Sequence, residues 1–235
     1  MPTRWCNSAE LRRYQIESGL DLTFNEVFKP LISARVIGFR PSSVLEVGAG
    51  TGHMAKAIAG LRCNLTAIEP SNGTFSVASE VLRGCNVRLL NCTSFELPFD
   101  IPFDLAYSHM VVHVIDDLTN FFASTCRHLA PGGHFIFSLP HPCFYNGYKG
   151  LFGDEYEYMR PMAKNIDFTI TKDPDNAISG VPYHHRPLSS YINSAIGAGF
   201  LITRFDEIMP EAEIQSKYGE PWKEPRYCIF TCAKP

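Results

Sequence analysis

The run Val44-Leu45-Glu46-Val47 breaks at once into Gly48-Ala49-Gly50-Thr51-Gly52. An apolar strand that enters a glycine-rich turn and then a helix leaves backbone N–H groups open to a ligand and sets the start of a strand–helix–strand unit. The surrounding chain repeats that unit. Residues 43–47, 64–69, 87–91, 103–108 and 134–139 have strand character, and 52–61, 71–83 and 118–129 have helical spacing, the last stopping at Pro131-Gly132-Gly133. Such alternation predicts an α/β fold with a doubly wound, mostly parallel sheet. Two helices precede it, at 8–18 and 24–38, with Ser8 and Thr23 as their expected caps. After Leu139 the period is lost. Residues 140–186 hold prolines, glycines and many aromatics, a length that marks a functional insertion. A helix returns at 188–198, stopped by Gly199, followed by strands at 201–205 and 226–233.

Two residues decide what the glycine turn would hold. A dinucleotide fingerprint needs glycine at position 53, which is His53. Glu46 sets a carboxylate just before the turn, where it repels a pyrophosphate and suits a ligand carrying an ammonium and a sulfonium. S-adenosylmethionine has both. Glu69, in Ala67-Ile68-Glu69-Pro70, falls at the tip of the neighbouring strand, where a carboxylate accepts from both ribose hydroxyls.

The segment from Val44 to Leu139 resembles the cofactor-binding core of class I, Rossmann-like S-adenosylmethionine-dependent methyltransferases. Glu46 to Gly52 matches the first motif, Glu69 the ribose acid, Leu97-Pro98-Phe99 with Phe103-Asp104-Leu105 the approach to the fourth strand, and Leu129-Ala130-Pro131-Gly132-Gly133 the turn before the fifth. Phe137-Ser138-Leu139-Pro140-His141-Pro142, Tyr183-His184-His185-Arg186 and Tyr191 resemble a bacterial subgroup acting on small molecules. The resemblance implies a seven-stranded sheet with one antiparallel C-terminal strand, in a single domain over residues 1–235. Its parts would be an N-terminal helical lid (1–40), a cofactor core (41–139), a substrate-side insertion (140–186), and a C-terminal helix and strands (187–235). It also implies cofactor contacts from Glu46, Gly48, Ala49, Gly50, Gly52, Glu69, Pro70 and Ser71. Ser108, His109 and Met110 would join them from the fourth strand, and Tyr14 from the lid, which also carries Asp21 and Thr23. One departure stands out. Where the family commonly has Asp-Ala for the adenine, this chain has Thr93-Ser94, a neutral and weaker contact.

Methyl transfer needs an aligned nucleophile, exclusion of water and, where the nucleophile carries a proton, a base. The strand tips point to His113 and to His141, the latter between Pro140 and Pro142. His141 reads equally as a turn histidine bonded to a carbonyl, and His184 stands behind both. His128 reads as a helix-end cap, and His134 has no role. The Asn/Asp-Pro-Pro-Tyr motif of nucleobase and glutamine methyltransferases is replaced by Ser108-His109-Met110-Val111, and Asp116-Asp117 suits a helix start better than a metal. No metal is expected.

The net charge of −3 lacks the basic excess of a nucleic-acid binder, and no run approaches the ~20 apolar residues of a membrane span. Eight scattered cysteines without a C-x-x-C pair read as reduced thiols. The expectation is a cytoplasmic enzyme, monomer or homodimer, that methylates O or N of a small acceptor packed among aromatics, with no nucleic-acid or membrane partner. A non-catalytic cofactor-binding or regulatory protein is the alternative, and an NAD-dependent oxidoreductase a weaker one.

Overall fold

The computed structural model describes residues 8–61, 63–98 and 102–235; Phe99 and Cys6 lie outside the described residues. Strands β1 (Ser43–Val47), β2 (Asn64–Ile68), β3 (Val87–Leu90), β4 (Phe103–His109), β5 (Leu129–Pro140), β8 (Leu201–Ile208) and β9 (Tyr227–Ala233) form one sheet in the order β3-β2-β1-β4-β5-β9-β8. Pairing from β3 through β5 is parallel, and β9 is antiparallel to both of its neighbours. The remaining strands, β6 (Met162–Ile170) and β7 (Asp173–His185), form a separate antiparallel hairpin.

Alternation along each strand splits the core between two faces. Leu45, Phe135, Phe137 and Phe230 face one side and pack under α5 (Leu118–Arg127) and α7 (Leu188–Gly197), with the rings of Phe137 and Phe230 stacked at 4.7 Å. Val44, Leu105, Tyr107 and Ile136 face the other, under α2 (Lys29–Phe39) and α3 (His53–Ile58). Each fully buried aromatic or aliphatic side chain of this kind contributes about 1.5–3 kcal/mol. Helix α4 (Asn72–Val81) follows β2, and α1 (Ala9–Glu17) packs against it, joined by an Arg13–Glu80 ion pair at 2.8 Å.

Three local expectations need correction. Thr23 is not the cap of the second helical segment, a π-turn (Thr23–Phe28) that runs into α2. Asp21 takes that role, its Oδ1 accepting the Phe24 amide at 2.9 Å, while the Thr23 hydroxyl lies 2.9 Å from that of Tyr218. Pro131-Gly132-Gly133 lies inside β5 as a bulge, because Leu129 pairs with Phe103 before His134 resumes the ladder opposite Leu105. The aperiodic stretch is ordered as well. Helix α6 (Tyr145–Lys149) and the β6–β7 hairpin enclose a third cluster of Tyr145, Ile166, Ile178, Val181 and Tyr183. Helix α8 (Ala212–Ser216) precedes β9.

Candidate active site

The C-terminal tips of β1, β2 and β4 open onto a cavity of about 400 Å³, the usual place for ligands in an open α/β sheet. Its floor is the glycine turn. Gly48 and Ala49 N–H both donate to the Ile68 carbonyl, at 3.0 and 2.9 Å, which pins the turn to β2. Gly48 has φ +80°, and a Cβ there would lie 2.6 Å from Val111, so only glycine lets the two loops meet. Gly50, at φ +55°, faces open space.

Two carboxylates border this floor. Glu69 is buried; its Oε2 accepts the Gly50 amide and its Oε1 the Ser71 amide, each at 2.9 Å. Burial outweighs those bonds and pushes its carboxyl up to about 7. Glu46 is wholly buried, its Oε2 lacks any hydrogen-bond partner, and burial together with the nearby Glu69 charge holds it well above the usual carboxylate range. Tyr107 stands opposite it in the β1–β4 register, and its buried hydroxyl, close to the Glu46 carboxyl, offsets only part of the effect of burial. A buried acid with an orphaned oxygen is costly. A cation entering the cavity removes that cost.

The far wall belongs to β4 and the loop beyond. His109 Nδ1 lies 2.8 Å from the Ser138 hydroxyl, and its ring packs on Phe28 at 4.6 Å. Met110 takes φ +55°, a left-handed conformation uncommon for a residue with a side chain, and so turns the chain back toward Gly48. His113 follows. Its carbonyl accepts the His184 amide at 2.8 Å, and Arg186 clamps the loop through the Ile115 and Asp116 carbonyls, at 2.8 and 2.7 Å. The His113 ring lies 5.5 Å from that of Tyr183, and its Nδ1 has no partner. Burial pushes both His109 and His113 down to about 3, so both rings are neutral.

Three segments roof the cavity: α1 with the π-turn, the β6–β7 hairpin, and Tyr218 after α8. They hold one another. Gln15 Nε2 donates to Asp173 Oδ2 at 3.1 Å, Arg12 pairs with Asp21 at 2.6 Å, and the Arg12 guanidinium lies over Phe168 at 5.6 Å.

A family model described as a methyltransferase domain matches residues 45–137. Residues 45–137 are a class I methyltransferase domain. Solved structures of similar fold include an S-adenosylmethionine-dependent methyltransferase from Clostridium acetobutylicum (15% identity, TM-score 0.64, covering 97% of this chain and 98% of that one). Another is from Mesorhizobium loti (20%, 0.61, 81% and 90%). A third is the 1,6-didemethyltoxoflavin-N1-methyltransferase of Burkholderia thailandensis, solved with 1,6-didemethyltoxoflavin and S-adenosylhomocysteine (17%, 0.61, 96% and 86%). No curated protein matches the sequence.

The cofactor of this methyltransferase domain is S-adenosylmethionine, and the domain makes the chain an enzyme. The open glycine cradle, the orphaned Glu46 oxygen and the strand-tip Glu69 fit it. Glu46, Gly48, Ala49, Gly50, Glu69, Pro70, Ser71, His109, Met110 and His113 line the cavity together.

Other expected site residues lie elsewhere. Gly52 packs behind the turn against Leu82 and Ala78, and the Ser108 hydroxyl donates to the Val47 carbonyl inside the sheet. Thr93 is exposed and bonded to Glu96, while the Ser94 hydroxyl lies 2.7 Å from that of Ser124. Tyr14 is 58% exposed on the outside of α1. His141 is 1% exposed and off the cavity wall. Its Nδ1 accepts the Cys143 amide, which leaves its Nε2–H to donate to Glu207 on β8 at 3.0 Å. Thr51 and His53, within and just after the glycine turn, also line the wall, as do Tyr218 and Tyr227, which are brought there by elements placed only through tertiary packing. Among the described residues no group of three or more acidic, histidine or cysteine side chains is arranged for a metal ion, and no helix is long and apolar enough to cross a membrane.

Proposed function

We propose that the enzyme methylates an oxygen or nitrogen of a small, flat acceptor bound under the β6–β7 hairpin, next to the cofactor. The observation that carries this reading is the continuity of one cavity. Its acidic end, at Glu46 and Glu69, runs into a compartment walled by Tyr145, Tyr148, Phe168, Tyr183 and Tyr227. Its volume of about 400 Å³ falls in the range of small-molecule sites, and its apolar rings suit a planar ligand. The acceptor named for the Burkholderia protein is also a small molecule.

In this reading Glu46 faces the cofactor's ammonium and Glu69 its ribose hydroxyls, while Gly48, Ala49 and Gly50 supply the close backbone approach. S-adenosylmethionine brings an activated sulfonium methyl. The chain's own task is to align the acceptor, exclude water and take its proton. His113 is the candidate for that last step. It lies on the wall, makes no side-chain hydrogen bond among the described residues, and is neutral. His141 is replaced in that role because its ring is occupied by Glu207 and Cys143. The α1–hairpin roof, joined through Gln15 and Asp173, acts as the lid that keeps water out.

The test is formation of S-adenosylhomocysteine when the enzyme is offered a panel of hydroxy- and amino-substituted aromatic compounds. Turnover with members of the panel that His113→Ala abolishes supports the reading. Turnover confined to protein or RNA substrates overturns it.

A further inference from the structure

The cavity wall carries three acids and two permanently charged cations, Arg12 and Lys149. All three acids have an assigned partner. Glu46 and Glu69 face the cofactor, and Asp21 is neutralised by Arg12 at 2.6 Å. The acceptor compartment holds a cation with no such partner. Lys149, at the end of α6, lines the wall; its Nζ donates to the Thr169 carbonyl at 3.3 Å, and it forms no ion pair among the described residues. Its ammonium lies 5.1 Å from the centre of the Tyr148 ring.

A second unpaired cation backs the same ring. Arg226, just before β9, stacks on Tyr148 at 3.7 Å and on Trp222 at 4.4 Å, and it too has no carboxylate partner among the described residues. A cation held against an aromatic ring already draws on its π-electron density, so that ring has less to offer another cation. The Tyr148 ring is therefore poorly placed to hold a ligand ammonium, and the Lys149 ammonium beside it has no carboxylate partner among the described residues.

Resting on the planar-acceptor reading above, we infer that the acceptor carries an acidic substituent, a carboxylate or an equivalent oxyanion, which Lys149 binds at the end of the cavity away from Glu46 and Glu69. Arg226 is a positioning residue that sets the polarity of Tyr148. The group methylated is a separate hydroxyl or amine on the same ring. Its bond to the methyl forms as the methyl–sulfur bond breaks, sulfur keeps the electron pair as a neutral thioether, and the acceptor's proton passes to His113.

The probes are 4-hydroxybenzoate, 4-hydroxybenzamide and 4-hydroxybenzylamine, one ring with an anionic, a neutral and a cationic substituent. Each is titrated into protein saturated with S-adenosylhomocysteine. The benzoate should bind about tenfold more tightly than the benzamide, as a charge-assisted contact implies, and the benzylamine should bind weakest. Lys149→Gln should bring the benzoate down to the level of the benzamide, and Lys149→Arg should keep the preference. Arg226→Gln should narrow the gap between benzoate and benzylamine, and Arg226→Lys should restore it. Equal binding of the three, tightest binding of the amine, or a preference unchanged in Lys149→Gln overturns the inference while leaving the planar-acceptor reading in place. Failure of all three to bind at millimolar concentration overturns that reading and, with it, the inference.

Discussion

Glu69 and Gly50 are joined across the top of the sheet, the Glu69 Oε2 accepting the Gly50 amide at 2.9 Å. The acid assigned to the ribose therefore also fixes the loop that cradles the rest of the cofactor. Glu69→Ala should weaken S-adenosylhomocysteine binding by about 1.5–3 kcal/mol, roughly 10- to 150-fold, as expected for losing a charged acceptor. Glu69→Gln, which keeps an acceptor oxygen, should lose less. Isothermal titration checks both, and unchanged affinity in Glu69→Ala would refute the assignment.

The same carboxylate predicts a pH dependence. In the free protein burial holds Glu69 at about 7, and Glu46 is raised by burial as well. Hydrogen bonds and positive charge from the cofactor favour the ionised forms, so binding expels protons, and affinity falls by up to about tenfold per pH unit below about 7 through Glu69, with Glu46 adding to the fall in the same direction. The sign for stability follows. A raised carboxyl stabilises the free fold below its ordinary value of 4.5, and that contribution is lost as pH rises through about 7. The rise in melting temperature on adding S-adenosylhomocysteine should thus be larger at about pH 8 than at about pH 6. An increment independent of pH would contradict the account.

The two candidate bases separate cleanly. His113→Ala should lower turnover by ~10²-fold or more at saturating cofactor, within the usual range for a general base. His141→Ala should keep turnover within about threefold, well short of that loss. It should instead lower the melting temperature, since it leaves the half-buried Cys143 amide without its acceptor and removes a buried ring. Because burial holds His113 at about 3, the profile of kcat should show no limb near the ordinary imidazole value of ~6.5. A limb there would remove His113 from the role, and a large loss in His141→Ala alone would return it to His141.

The roof yields a fourth expectation. Deleting residues 1–22 removes Arg12, Arg13, Gln15 and Asp21, and with them the links to Glu80 and Asp173. Methyl transfer should be abolished while far-UV circular dichroism still reports the folded sheet. In the full chain, Gln15→Ala should speed amide exchange in the β6–β7 hairpin. A truncated protein with full activity would exclude the lid.

What the sequence disclosed and what it hid follow from the range of the signals. The β1 turn, Glu69 and the parallel alternation are local, and each was legible from a few adjacent residues. The hairpin also carried a local signal, since Ile166, Phe168 and Ile170 alternate, as do Val181, Tyr183 and His185. Register shifts at Phe168 break the period, however, and the turn at Thr171-Lys172 lacks glycine or asparagine. His141 was misplaced because the ladder does not stop at Leu139. Pro140 still pairs with Tyr227, and the His141 amide donates to the Arg226 carbonyl, which turns the ring toward β8. Thr93-Ser94 matched the adenine position in sequence alone, and their hydroxyls are taken by Glu96 and Ser124.

The most direct test of the central claim is a crystal structure with S-adenosylhomocysteine. The account predicts the ammonium at Glu46, both ribose hydroxyls on Glu69, and the sulfur turned toward the compartment bounded by His113 and Tyr183. A ligand bound with its sulfur facing away from that compartment, or bound outside the Gly48–Gly50 cradle, would contradict it.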